Sequence, residues 1–299
     1  MDFSGKRWYY INNETKTEDK ALQKRRTSLY IYLAVLAVLT LALSAYRSVA
    51  FMRSVSECDS VKVFSEGFYT SHTVYKISIP VFVVISALAL IFAKGKKTVT
   101  FSPAEGKGGR IAALICGIGF AVCGVLTLIS LIPEIGAGGF GLFNFARLVC
   151  TLLMIPCAIY FINIYAGFLG EGKAWIFALS LPVWATLMIV TEYFDTYFAF
   201  NNPLRVSGNV AFAAVILFML FEARANLAYP CGKFYMAILA ALPCMVAIHI
   251  IPILAALPGI LGSGLEFFSF ELLSDIVLLP ILVYMVARSV SSLRMIAEK

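Results

Sequence analysis

Long apolar runs separated by short polar segments fill the chain from Leu29 to Ala287. Eight of them lie at 29–46, 77–93, 111–132, 143–164, 174–191, 206–221, 234–257 and 270–287. A hydrocarbon layer of about 30 Å takes roughly 20 helical residues to cross, so each run approaches the length of one crossing. Lipid offers no partner to a backbone N–H or C=O, which makes each run an α-helix. Barrel-type alternation is absent, and the runs exceed the roughly ten residues of a barrel strand. The expected architecture is an all-α polytopic membrane bundle of about eight transmembrane helices. It divides into a basic tail, 1–28, and a single transmembrane domain, 29–299.

The polar connections are short except for two, 47–76 and 94–110. The first has Val49, Met52 and Val55 at helical spacing, and an interfacial helix is expected there. The second carries five basic residues and four glycines, as a flexible link would.

A faint internal repeat aligns 143–160 with 267–284 at a shift of 124 residues. It sets Phe143 against Phe267, Arg147 against Glu271, Pro156 against Pro280 and Tyr160 against Tyr284. Chance among apolar helices gives such matches too. If the duplication is real, the halves are 29–172 and 173–299, four helices each. They would be related by an axis along the membrane normal, with sites between them near mid-depth.

Composition agrees with a lipid solvent. Hydrophobic residues are 61% of the chain, charged residues 14%, and mean hydropathy is +0.88, far from a soluble domain. Charge adds an orientation. With the termini placed inside, the inner segments hold 18 basic and 8 acidic residues, and the outer ones 6 and 9. This positive-inside asymmetry puts both termini in the cytoplasm. The formal charge of +7 then reflects topology and attraction to anionic lipid, not nucleic acid. Compactness and the lack of sorting signals suggest a plasma membrane, of the bacterial inner-membrane kind.

Ionisable groups inside apolar spans are the best pointers to function. They gather toward one side: Arg147 in the fourth span, Glu192 and Asp195 at the end of the fifth, Arg205 and Asn209 opening the sixth, His249 in the seventh, and Glu271 and Asp275 starting the eighth. A polar cavity in the outer half is one reading, with Arg147 holding an anion or pairing with Glu271 or Asp275. His249 would relay a proton, since imidazole titrates near neutrality. The other reading is plain interhelical pairing and headgroup hydration. The aromatic run 192–200 either lids such a cavity or forms an interfacial belt. Glu222 and Arg224 close the sixth span and either dock on neighbours or sit in solvent.

Cys116 and Cys123, and likewise Cys150 and Cys157, are seven apart on adjacent antiparallel spans. A soft-metal or redox site is conceivable, against small-residue packing alone. The other cysteines are scattered, without CxxC, so no disulfide scaffold is indicated. HExxH, GxSxG and P-loop patterns are absent, and only His72 and His249 are available as imidazole ligands. No cofactor is implied, and enzyme chemistry is disfavoured.

The leading expectation is a permease-like or ligand-binding membrane protein for a small solute. The competing one is a non-catalytic membrane subunit or sensor acting through partner proteins.

Overall fold

A computed structural model describes residues 4–58, 65–92, 98–99, 107–138, 141–168, 174–194, 202–227, 229–262 and 269–298. These residues form α1 (Ser4–Cys58), α2 (Glu66–Phe92), β1 (Thr98–Val99), α3 (Lys107–Gly138), α4 (Leu142–Ala166), α5 (Ala174–Ala178), α6 (Ser180–Phe194), α7 (Pro203–Asn226), β2 (Cys231–Gly232), α8 (Lys233–Gly262) and α9 (Phe270–Glu298). Eight helical segments are long and apolar enough to cross a membrane. The protein is an all-α, multi-pass integral membrane bundle.

Eight alternating crossings bring the turns after α1, α3, α6 and α8 to one end, the distal end. The chain termini and the turns after α2, α4 and α7 lie at the proximal end. There the two-residue strands β1 and β2 pair antiparallel, Thr98 with Gly232 and Val99 with Cys231.

Lipid-facing and core-facing residues separate on each helix. On α3 the exposed positions are Ile111, Ile115, Ile118, Val122, Val125, Ile129 and Ile132, a branched aliphatic stripe at spacings of three and four. Its opposite face buries Ala112, Ala113, Cys116, Phe120, Cys123, Thr127 and Leu131. A soluble protein does not expose such a stripe, whereas acyl chains cover it without cost.

Small residues let α3 approach its neighbours closely. A Cβ built on Gly117 would lie 2.8 Å from Ile162 Cγ1 on α4, and one on Gly119 would lie 2.5 Å from Pro280 Cγ on α9. The buried cysteines of this seam, Cys116, Cys123, Cys150 and Cys157, share that packing role. Among the described residues no three His, Cys, Asp or Glu side chains come close enough to hold a metal ion.

α8 is the centre of the bundle. It packs extensively on α1, α2, α7 and α9, and 83% of its most apolar stretch is buried, against 22% for α1. α3 packs extensively on α9, whereas the reciprocal pairing expected of a duplication, α8 on α4, is not among the extensive contacts of the described residues.

Prolines shape several helices. Pro182 has no N–H to give the carbonyl of Ala178, and the fifth crossing breaks there into α5 and α6. Pro243 likewise frees the carbonyl of Leu239, which accepts from Ser289 Oγ on α9 at 3.3 Å.

One expected boundary is wrong. The segment 47–76 is not an outer loop with a separate interfacial helix. α1 runs on to Cys58 and α2 already starts at Glu66. The residues added at these two helix ends, 47–58 and 66–76, include Arg47, Ser48, Phe51, Ser54, Phe68, Ser71, His72 and Tyr75, all buried. Their polar side chains face protein, not lipid, so a hydropathy average over all faces underrates them.

Candidate functional site

The site begins with the start of α7. Asn202 caps it, its Oδ1 accepting from the N–H groups of Leu204 at 2.9 Å and Arg205 at 3.3 Å. Pro203 occupies the first turn, where its missing N–H costs nothing. This register buries Ser207 one turn into the helix, facing α1 and α8.

Ser207 is the middle of a polar line through four helices. Its Oγ accepts from Arg47 Nη2 of α1 at 3.2 Å and lies 3.0 Å from His249 Nδ1 of α8. The far nitrogen, Nε2, lies 3.0 Å from Asp275 Oδ1 of α9. Arg47 and Ser207 are fully buried and His249 is 1% exposed, while the Asp275 side chain is 19% exposed. The line therefore runs inward from a partly accessible carboxylate to a guanidinium shut off from solvent. Glu192 of α6 approaches the same place: a Cβ on Gly208 would lie 3.6 Å from His249 Nε2 and 3.8 Å from Glu192 Oε1.

Hydrogen-bond chemistry allows this line two good states. Neutral His249 donates from Nε2 to Asp275 and accepts at Nδ1 from the Ser207 hydroxyl. Protonated His249 donates from both nitrogens, and the hydroxyl turns to the carbonyls of Pro203 or Leu204, at 2.9 and 3.0 Å. Ser207 accepts from Arg47 in both. A proton arriving through Asp275 is thus felt at the hydroxyl that touches Arg47.

Arg47, Ser207 and His72 are among the residues that sequence reasoning did not place in a site. The Arg47 guanidinium lies over the Tyr75 ring at 4.6 Å and the Phe68 ring at 5.5 Å. The His72 ring stacks on Tyr75 with centroids 5.9 Å apart. Arg47 Nε and Nη1, both His72 ring nitrogens, Tyr75 Oη and Ser44 Oγ are buried without hydrogen-bond partners among the described residues. The signal available in the sequence was an Arg within helical continuity of an apolar run; counting it as loop concealed it.

A second cluster lies nearer the distal end. Arg147 donates from Nη1 to Glu134 Oε2 of α3 at 2.6 Å and from Nη2 to Glu271 Oε1 of α9. Its guanidinium lies 4.2 Å from the Phe143 ring centroid and 5.1 Å from that of Phe270. Of the two acids weighed for it, Arg147 meets Glu271, while Asp275 belongs to His249. Glu134, just after Pro133, was not singled out beforehand. With two carboxylates on it, this arginine clamps α3, α4 and α9 together.

The remaining expected residues fall as follows. Arg205 is buried at 8% exposure, and Asn209 Oδ1 is buried without a partner. Asp195 and the aromatic residues 195–200 lie outside the described residues, as does any lid built from them. Cys150 Sγ lies 3.6 Å from Thr191 Oγ1.

Solvation of Glu222 at a helix end is overturned. Glu222 is fully buried and accepts from Arg288 Nε of α9 at 2.6 Å. Arg224, two residues on and so on another face, is exposed and donates to the Pro230 carbonyl at 3.1 Å. Chain position brought the sixth span to its end at 221, but α7 continues to Asn226 and keeps Glu222 inside.

Between the distal line and this proximal pair lies an aromatic layer. Phe120 meets Phe161 and Trp184, Trp184 meets Phe212, and Tyr284 meets Phe161 and Phe218, at centroid distances of 4.9–6.4 Å. Four of these contacts are edge-to-face and Phe120 stacks on Phe161, so the rings fill the interior with mainly apolar surface; Trp184 Nε1 and Tyr284 Oη are the polar atoms buried among them.

No protein-family model matches the chain, and no curated protein or solved structure shows significant similarity to it. The functional reading therefore stands on this geometry.

Proposed function

We propose that this membrane protein is permease-like or solute-binding, with its polar site in the distal half of the bundle and that half facing away from the cytoplasm. The observation that carries the reading is the Asp275–His249–Ser207–Arg47 line. Four helices each contribute one costly polar group to a single connected path, and structural gluing of a bundle needs only isolated pairs. The path starts at a partly accessible carboxylate and contains an imidazole, whose two ring nitrogens can each donate or accept. The aromatic layer beneath it separates distal from proximal polar groups, as a barrier between two access routes would.

Under this reading transport is gradient-driven, in the following outline. His249 takes or gives a proton through Asp275, Ser207 turns, and the surroundings of Arg47 change. Arg147 with Glu134 and Glu271 holds α3, α4 and α9 as one unit, and α1 and α2 are the helices that move against it and α8.

The test is small-molecule mass spectrometry on the purified protein, followed by uptake assays in proteoliposomes. A solute that copurifies with the parent protein and is lost from H249Q and D275N, both still monodisperse and folded, supports the reading. Stoichiometric capture of one partner protein, with no solute retained and no uptake, supports the competing subunit role instead.

A further inference from the structure

We propose that Arg47, with Tyr75, His72 and Ser44 around it, binds the carboxylate group of a monoanionic solute in the seam between α1 and α2. This rests on the solute-handling reading and names the chemical class of its solute.

The first argument is charge. Arg47 is fully buried and makes no ion pair with any described residue. A guanidinium removed from water without a counter-charge is among the most costly groups in a protein interior. The nearest acid on its own path, Asp275, is two hydrogen-bonding groups away and faces His249. Two other guanidinium groups of the interior contrast with it. Arg147 holds two carboxylates and Arg288 holds Glu222.

The second argument is donor count. A guanidinium has five N–H groups, and Ser207 takes one from Nη2. Among the described residues Nε and Nη1 are buried without acceptors, and Tyr75 Oη, Ser44 Oγ and the two His72 nitrogens are buried without partners. Ser44 stands three residues before Arg47, on the same face of α1. The Tyr75 ring lies against both the guanidinium and the His72 ring. Orphaned groups are the exception in native interiors. Here they crowd into one seam, and most of them are donors. An acceptor-rich anion satisfies them together.

The third argument selects the anion. One fixed positive charge is neutralised by one negative charge, which favours a carboxylate over a phosphate dianion. Planar N–H donors suit carboxylate oxygens. The walls beyond Arg47 are apolar: Phe51 packs on Phe68 with centroids 5.1 Å apart, and Val55, Ile250 and Ile253 join the same cluster. They suit the hydrocarbon part of such a solute. Because Arg47 is closed off in this conformation, loading requires α1 or α2 to part from α8.

The experiment is calorimetric titration of the full chain in lipid nanodiscs with butyrate, decanoate, butylammonium, chloride and inorganic phosphate. Saturable butyrate binding is expected, weakened about 10- to 150-fold by R47Q, the range for a hydrogen bond to a charged group. Y75F should weaken it by about 2- to 10-fold, as for a neutral bond. Y75F keeps the ring and the charge, so it carries the test should R47Q fail to fold. Tight binding of decanoate with weak butyrate binding would assign the carboxylate to a fatty acid entering from the bilayer, and a preference for butyrate to a water-borne solute.

Butylammonium, chloride or phosphate binding in place of both carboxylates overturns the carboxylate assignment. So does butyrate binding that R47Q and Y75F leave unchanged. Either outcome spares the broader reading if a solute is still lost from H249Q. Loss of any solute signal in the parent protein removes both.

Discussion

Ser207 Oγ stands 3.0 Å from His249 Nδ1, and its single proton has three acceptors in reach: that nitrogen and the carbonyls of Pro203 and Leu204. The same oxygen accepts from Arg47. One hydroxyl thereby joins the only imidazole of α8 to the buried guanidinium of α1.

Removing that hydroxyl leaves Arg47 Nη2 without its acceptor and His249 Nδ1 without a partner. S207A is expected to lose about 1–3 kcal/mol of stability, the desolvation cost of orphaned buried groups. Thr70 also bonds a carbonyl of its own helix but is exposed, so T70A should stay within about 0.5 kcal/mol. Thermal unfolding of both variants in one detergent makes the comparison. Equal losses would argue against a special place for Ser207.

His249 and Asp275 should couple measurably. A double-mutant cycle with H249A, D275A and the double variant is expected to give about 0.6–1.7 kcal/mol, the range for interhelical hydrogen bonds in a membrane protein. Reversible unfolding under steric trapping in bicelles reads it directly. Strict additivity would mean the 3.0 Å contact contributes nothing.

The two arginine clusters should respond unequally. R288M leaves Glu222 charged and fully buried, at a cost of about 3–5 kcal/mol. The E222L/R288M double variant should recover most of that. R147Q exposes Glu134 and Glu271, whose side chains are 38% and 34% exposed. Water compensates them, so the loss should be nearer 1 kcal/mol and shrink with added salt. Melting curves at low and high salt separate the two behaviours.

Helix approach at Gly119 leaves no room for a methyl group. G119A drives a Cβ to 2.5 Å from Pro280 Cγ, and separating α3 from α9 should cost about 1–3 kcal/mol. At Gly108 nothing lies within 4 Å, and G108A should be neutral or slightly stabilising on helix propensity. An unchanged melting temperature for G119A would show that the seam relaxes freely.

All eight crossings were legible in the sequence, because an apolar run of sufficient length leaves the backbone little alternative in lipid. Helix ends were not. α2 starts at Glu66, eleven residues before its apolar run, since Ser71, His72 and Tyr75 point into the bundle. A hydropathy window averages the faces of a helix and cannot see which face meets protein. The same blindness placed Arg47 in a loop and Glu222 in solvent. His249, Asp275, Arg147 and Glu271 stood out because an ionisable residue within the bounds of an apolar run is visible at any rotation. Which acid each would meet depended on helix rotation, and only the packing of α8 against α9 decided it.

The burial of α8 also sets the birth order of the protein. A chain emerging N-terminus first delivers α1, α2 and α7 to the membrane before their shared partner exists. Until the seventh crossing leaves the ribosome, Arg47 and Ser207 have no His249 to face. Those earlier crossings therefore wait, with their polar faces uncovered, for a central pillar that arrives next to last, ahead of α9 alone.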